Sequence, residues 1–266
     1  MYETTYQRPK DLAGAAAAFA AGGDARYLAG GQTLIPTMKQ RLAAPSELID
    51  VARLAELQGI AASGDVLTIG AATTHAEVAG SATVKAAIPA LARLAGLIGD
   101  PAVRHRGTLG GSLANNDPAA DYPAAVLALG ATVHTDKRAI PAAEFFTGLF
   151  STALADGEIV TKVAFPVPAK AAYEKFANPA SRYAMAGVFV ARLKDGGVRV
   201  GVTGAGNRGV FRSAEFETAL SGDFAEKALA PLSVDPAAMI SDIHGSAAYR
   251  ANLVKVMARR AVKAIE

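Results

Sequence analysis

Ala25-Arg-Tyr-Leu-Ala-Gly-Gly-Gln-Thr-Leu-Ile-Pro-Thr-Met-Lys-Gln-Arg-Leu42 reads as a short strand, Ala25–Ala29, that runs into two glycines and then a short helix over Leu34–Leu42. Strand, glycine turn and helix together make a place where backbone N–H groups can meet an anion. Glycine has no Cβ to hold a ligand off, and a helix N-terminus adds the positive end of its dipole. Pro36 sits near the first turn, where a missing N–H is tolerated. No Lys follows at P-loop spacing, so hydrolysis of a nucleoside triphosphate is not suggested.

Outward from this segment the chain alternates in character. Asp11–Ala21 reads as a helix, with Asp11 as cap and Gly22-Gly23 as its stop. Glu47–Val51 and Val66–Ala71 read as strands, and Thr73–Ala79 and Ile88–Ile98 as helices. Gly99–Pro123 is dense in Gly, Asn, Asp and Pro and reads as one long loop, a feature that is either functional or a linker. Its small residues, and the apolar helical run Tyr122–Leu129 that follows, argue for a packed, functional loop. Inside it Thr108-Leu-Gly-Gly-Ser112 offers a second cradle of amides and hydroxyls, with the polar groups of Asn115, Asp117 and Asp121 just beyond. Glu158–Phe165 reads as a strand ending at Pro166-Val-Pro168. Tyr183–Leu193, Asp195-Gly196-Gly197 and Val198–Thr203 form a hairpin signature, and helices near Ser213–Leu220 and Ala247–Ile265 close the chain. The change of texture places a boundary at Pro166–Lys170, dividing the chain into residues 1–168 and 169–266.

A literal GxGxxG, Gly204-Ala-Gly-Asn-Arg-Gly209, competes for a dinucleotide. In a dinucleotide fold that turn follows the first strand of a βαβ unit, and its last glycine lies in the opening helix. Here the preceding strand belongs to the hairpin, and Val210-Phe-Arg212 does not open a helix. The loop reading therefore outranks an NAD(P) site.

Composition narrows the chemistry. Of 266 residues, 51% are hydrophobic and 19% charged, enough apolar surface to bury a core. A formal net charge of +3 does not point to nucleic acid or an anionic membrane. With no Cys, this chain has no disulfide, no thiolate nucleophile and no cysteine-held iron–sulfur cluster. His75, His105, His134 and His244 are scattered without ligand spacing, so no metal site is expected, and no catalytic nucleophile or base stands out. No leader peptide and no membrane span is visible, which leads us to expect a cytoplasmic protein.

The two glycine segments, taken together and in order, are more specific. Tyr27-Leu-Ala-Gly-Gly-Gln-Thr-Leu-Ile-Pro-Thr-Met-Lys39, Asp100-Pro-Ala-Val-Arg-His-Arg-Gly-Thr-Leu-Gly-Gly-Ser-Leu-Ala-Asn115 and Asp117-Pro-Ala-Ala-Asp-Tyr-Pro-Ala124 resemble the FAD-binding medium subunits of molybdenum hydroxylases. That family includes the carbon monoxide dehydrogenase medium subunit and, more distantly, the xanthine dehydrogenase FAD subunit. The likeness runs over essentially the whole chain, including the closing helix from Ala248 to Val262. It implies an α+β protein: a PCMH-type FAD-binding domain of two small α/β subdomains, then a C-terminal antiparallel-sheet α+β domain of carbon monoxide dehydrogenase flavoprotein type. The FAD-holding residues so implied are Leu28, Ala29, Gly30, Gly31, Gln32, Thr33 and Leu34 in the first segment, and Thr108, Leu109, Gly110, Gly111, Ser112, Asn115, Asp117 and Asp121 in the second. Ile98 and Val160 match apolar positions beside the isoalloxazine, while Lys175 and Tyr183 match a basic residue and a ring near the flavin. The pyrophosphate is expected on the amides of Ala29–Thr33 and Thr108–Ser112. Gln32 and Ser112 depart from the family's usual residues but keep hydrogen-bonding groups. The resemblance also implies partners that hold the other cofactors: a 2Fe–2S small subunit and a molybdopterin large subunit, in a dimer of heterotrimers. The rival readings are an NAD(P) protein using Gly204–Gly209 and a flavin-free interaction subunit.

Overall fold

The computed structural model describes residues 1–265. Three hydrophobic cores follow one another along the chain. The first lies under a parallel three-stranded sheet, in the order Thr5–Gln7, Glu47–Asp50, Ala25–Leu28. Helix Leu12–Ala21 packs on it, its first turn capped by Asp11, which accepts from the Gly14 amide. Its central position Ala15 is fully buried.

The second core is covered by an antiparallel five-stranded sheet ordered Ile60–Ser63, Val66–Gly70, Val160–Pro166, Thr132–Thr135, Ala139–Pro141. Helices His75–Gly80, Ala82–Ala87, Pro89–Gly96, Leu109–Asn115 and Tyr122–Leu129 supply most of its other residues, joined by Phe145 and by Tyr173 and Phe189 of the third unit. Thr74 starts the first of these with a full capping box, since Glu77 returns to the Thr74 amide. The chain leaves this sheet at Pro166 and enters the third unit at Lys170. There four antiparallel strands, Lys170–Ala177, Ala184–Arg192, Val198–Thr203 and Phe211–Arg212, carry helices Ala214–Gly222 and Ala247–Lys263 on one face.

Helix Tyr122–Leu129 is the hinge of the packing. Every residue in it is buried, as an all-round apolar helix must be. It lies against the second core and also on strands Ala184–Arg192 and Val198–Thr203. The approach is so close that a Cβ at Gly201 would stand 2.1 Å from the Ala124 carbonyl.

Gly99–Pro123 is not one loop, and the expectation is corrected. Asp100 caps a turn of helix at Pro101–Arg104, and Thr108 caps Leu109–Asn115 by accepting from the Gly111 amide at 3.2 Å. The glycines mask this helix from a propensity reading; the cap and its tertiary contacts form it nonetheless.

Candidate functional site

The two glycine segments meet. A Cβ on Gly30 would fall 2.1 Å from the Arg106 carbonyl oxygen and 2.7 Å from Gly107 Cα, so only glycine lets the first turn rest on the second. Gly31 takes φ +71°, a left-handed conformation that glycine adopts without strain. None of the five amides from Ala29 to Thr33 donates to a carbonyl or side chain among the described residues, so this turn presents a row of free N–H groups.

The second segment behaves differently, which corrects the expectation of a second amide cradle. The Leu109 amide donates to Thr73 O at 3.0 Å, Gly110 to Ala71 O at 2.8 Å and Ser112 to Thr108 O at 3.0 Å, while Gly111 is held by the Thr108 side chain. Of Thr108–Ser112, only the Thr108 amide has no acceptor among the described residues. What faces outward is the N-terminal turn of a seven-residue helix. Its glycines have separate jobs. A Cβ on Gly110 would press 2.5 Å from Ala71 Cβ, making it a packing glycine, whereas one on Gly111 would point across the gap, 3.9 Å from Ala29 Cβ.

Between the segments opens a cleft of about 970 Å³ whose walls come from all three units. Leu28, Ala29, Gly30, Gly31, Gln32, Thr33 and Leu34 line it, as do Thr108, Gly110, Gly111, Ser112, Asn115, Asp117 and Asp121. Ile98, Val160 and Tyr183 line it too. Leu109 does not: its side chain is fully buried in the second core, behind the wall. Lys175 is also absent from the wall, because it stands behind Asp121. Its Nζ lies 2.9 Å from Asp121 Oδ1 and donates to Leu97 O at 3.0 Å, and its side chain is 2% exposed. The Tyr173 hydroxyl donates to the same carboxylate at 2.7 Å. Burial raises the Asp121 pKa on balance, and the Lys175 ammonium and the Tyr173 hydroxyl oppose that rise by favouring the carboxylate. Tyr183 receives a bond from Asn178 Nδ2 at 3.2 Å and meets the His244 ring edge-on at 6.0 Å.

Several cleft residues escaped the sequence reading. His75 lines the wall behind Gly107 and Thr108. Ile240, Asp242 and Arg250 line the end formed by the third unit. The fully buried Arg250 donates to Met185 O, Gly204 O and Asp242 Oδ2 at 2.8, 2.9 and 2.7 Å. One signal was available for it: a lone Arg in register with Leu253, Val254 and Met257 on the inward face of the closing helix.

Gly204–Gly209 forms no dinucleotide turn. The Gly204 amide donates to Pro118 O at 2.8 Å, and Gly206 bridges to Met239. The chain then returns as antiparallel strand Phe211–Arg212, and the next helix starts only at Ala214. No helix N-terminus stands at these glycines. Among the described residues no group of three or more His, Asp or Glu could hold a metal, and no helix is long and apolar enough to cross a membrane.

Comparison with known proteins agrees with this geometry. The model of the FAD-binding domain of molybdopterin dehydrogenases matches residues 2–168. The carbon monoxide dehydrogenase medium chain of Afipia carboxidovorans is 38% identical, over 97% of this chain and 95% of that one. The nicotine 6-hydroxylase medium subunit of Paenarthrobacter nicotinovorans is 35% identical, again over 97% and 95%. Among solved structures, reconstituted CO dehydrogenase from Oligotropha carboxidovorans superposes with a TM-score of 0.91 at 35% identity, covering 100% of this chain and 99% of that one. Quinoline 2-oxidoreductase from Pseudomonas putida 86 does so with a TM-score of 0.88 at 29% identity, covering 98% and 96%.

Proposed function

The chain belongs to the family of FAD-binding domains of molybdopterin dehydrogenases, and from that premise we propose that it is the flavin subunit of a molybdenum hydroxylase, taking electrons from a 2Fe–2S subunit and passing them to an external acceptor. The observation that carries this is the row of free amides at Ala29–Thr33, around left-handed Gly31, on residues that line a cleft of about 970 Å³. A pyrophosphate without a Lys partner needs convergent N–H donors of that kind.

The residues fit FAD. Ala29–Thr33 would hold the pyrophosphate, and the Thr108 amide with the opposing helix N-terminus would add to the positive field. The flat Gly111 backbone leaves the gap open. Ile98, Val160 and Tyr183 would flank the isoalloxazine, and Asp121, backed by Lys175, would supply an acceptor in the wall. When bound, the flavin supplies the redox chemistry; the chain binds, orients and shields it. The same reading divides the chain into a cofactor-binding part, 1–168, and a C-terminal part, 169–266, that closes the far end of the cleft.

Cysteine's absence means that clusters must come from another polypeptide, so the chain works in a durable complex with a 2Fe–2S small subunit and a molybdopterin large subunit, as a dimer of heterotrimers in the cytoplasm. A stable interface buries on the order of 1,200–2,000 Å² or more and survives purification. Affinity isolation from the native host should recover two further subunits with iron and molybdenum. With no Cys for a thioether link and no evident His–flavin motif, the flavin is held without a covalent bond, and acid precipitation should release all the colour to the supernatant. A chain that stays colourless after incubation with excess FAD, or that isolates alone from its host, refutes the reading.

A further inference from the structure

His75 occupies an unusual place in the cleft wall. It is the first residue of helix His75–Gly80, and its backbone amide donates to Gly107 O at 2.9 Å, binding it to the second glycine segment. The residue is 5% exposed, yet it lines the cleft. Its ring leans on Tyr122 with centroids 5.4 Å apart, and its Nδ1 is buried with no partner. Gly107 clears the other nitrogen: a Cβ there would stand 2.6 Å from Nε2. A neutral imidazole carries one proton. On Nδ1 it would be a buried donor with no acceptor, so the favoured tautomer keeps it on Nε2, toward the cleft.

Resting on the reading that the cleft holds FAD, we propose that His75 is a further cofactor-binding residue, donating from Nε2 to a phosphate oxygen of the pyrophosphate where Gly107 and Thr108 meet the Gly30 turn. The contacts place it there: Gly30 abuts Gly107, and Gly107 abuts His75 Nε2. Burial, with Arg104 adding to it, lowers the His75 pKa to about 4, so the ring is a neutral donor at neutral pH. A neighbouring phosphate opposes that shift, because a negative charge favours the imidazolium. The other charged groups around the ring are engaged or turned away. Glu77 is bound to Thr74, Arg93 to Glu174 and Asp121 to Lys175, Lys85 is exposed, and Tyr122 remains an un-ionised phenol.

The test uses the full chain with FAD and, as a probe lacking phosphate, riboflavin. His75→Phe should keep the ring packing but weaken FAD about tenfold, the size of a lost hydrogen bond to a charged group, and leave riboflavin binding unchanged. His75→Gln, which restores an N–H donor, should recover most of the FAD affinity. In the wild-type chain, NMR titration of the His75 ring should show its pKa rising by about one unit or more on adding FAD, and not on adding riboflavin. Equal FAD affinity of His75→Phe and wild type overturns the assignment, and so does a His75 titration that FAD leaves unmoved. If His75→Phe does not fold, the wild-type titration alone decides. A wild-type chain that binds no FAD overturns the cofactor reading itself, a result distinct from binding with an unmoved His75.

Discussion

The two adjacent glycines of the second segment should fail in opposite ways when each is replaced by alanine. At Gly110 the new methyl would lie 2.5 Å from Ala71 Cβ, 2.9 Å from Ala71 O and 3.0 Å from its Cα. The helix cannot draw back, because its Gly110 and Leu109 amides are tied to Ala71 O and Thr73 O. Overpacking of this kind costs about 1–3 kcal/mol, and the better helix propensity of alanine offsets up to about 1 kcal/mol. The net loss of about 1–2 kcal/mol corresponds to a Tm lower by roughly 2–8 °C in a chain of this size. FAD affinity should stay near wild type. At Gly111 the methyl points toward Ala29 across the cleft and touches only Thr108 Oγ1, at 2.9 Å. Weakening the Thr108 cap costs about 1 kcal/mol and helix propensity returns about as much, so Tm should hardly move. The phosphate, however, loses its close approach, and the loss of one or two charge-assisted hydrogen bonds, about 1.5–3 kcal/mol each, weakens FAD by about 100-fold. Thermal unfolding of the apo-proteins and flavin-fluorescence titration measure the two effects separately. Loss of FAD in Gly110→Ala at unchanged Tm, or wild-type binding in Gly111→Ala, would show that the two roles have been assigned wrongly.

Three further outcomes follow from single contacts. Asp121→Asn leaves the Lys175 ammonium buried without its carboxylate and should cost about 3–5 kcal/mol in urea unfolding; adding Lys175→Met should recover most of it, and no recovery would mean the pair is not the cause. Glu158, held at a pKa of about 2 chiefly by its bond from Arg138, is ionised in the folded chain down to far lower pH than in the unfolded one. Its contribution is complete above the ordinary pKa near 4.5 and is lost as pH falls from there toward 2. Arg138 is half exposed and solvent screens the pair, so the loss is a fraction of the full shift, and Glu158→Gln should flatten the stability profile in that window. Finally, NADH should not be held at Gly204–Gly209: Gly206→Ala, whose Cβ would meet Gly209 O at 2.5 Å and the Phe211 ring at 2.8 Å, should lower Tm, and a measurable NADH affinity in wild type that this variant abolishes would restore the dinucleotide reading.

Local physics was legible in the sequence. Gly30-Gly31 between a strand and a helix, the turn at Asp195-Gly196-Gly197 with Gly196 at φ +89°, and the break at Pro166 all depend on what a few neighbouring residues can adopt. The demotion of Gly204–Gly209 was equally local, since a hairpin strand before it and no helix start after it are visible in the residues themselves. Tertiary structure decided the rest. Glycine's low helix propensity hid helix Leu109–Asn115, which the Thr108 cap and the carbonyls of Ala71 and Thr73 hold in place. Those same carbonyls determine which amides remain free for a ligand, and no local pattern records that choice. Lys175 meets Asp121 across 54 positions of sequence, and His75 and Arg250 reach the cleft from helices in different units. Short-range preference sets the backbone of a turn, but an unpartnered donor is defined by everything packed around it, and that packing exists only once the chain has folded.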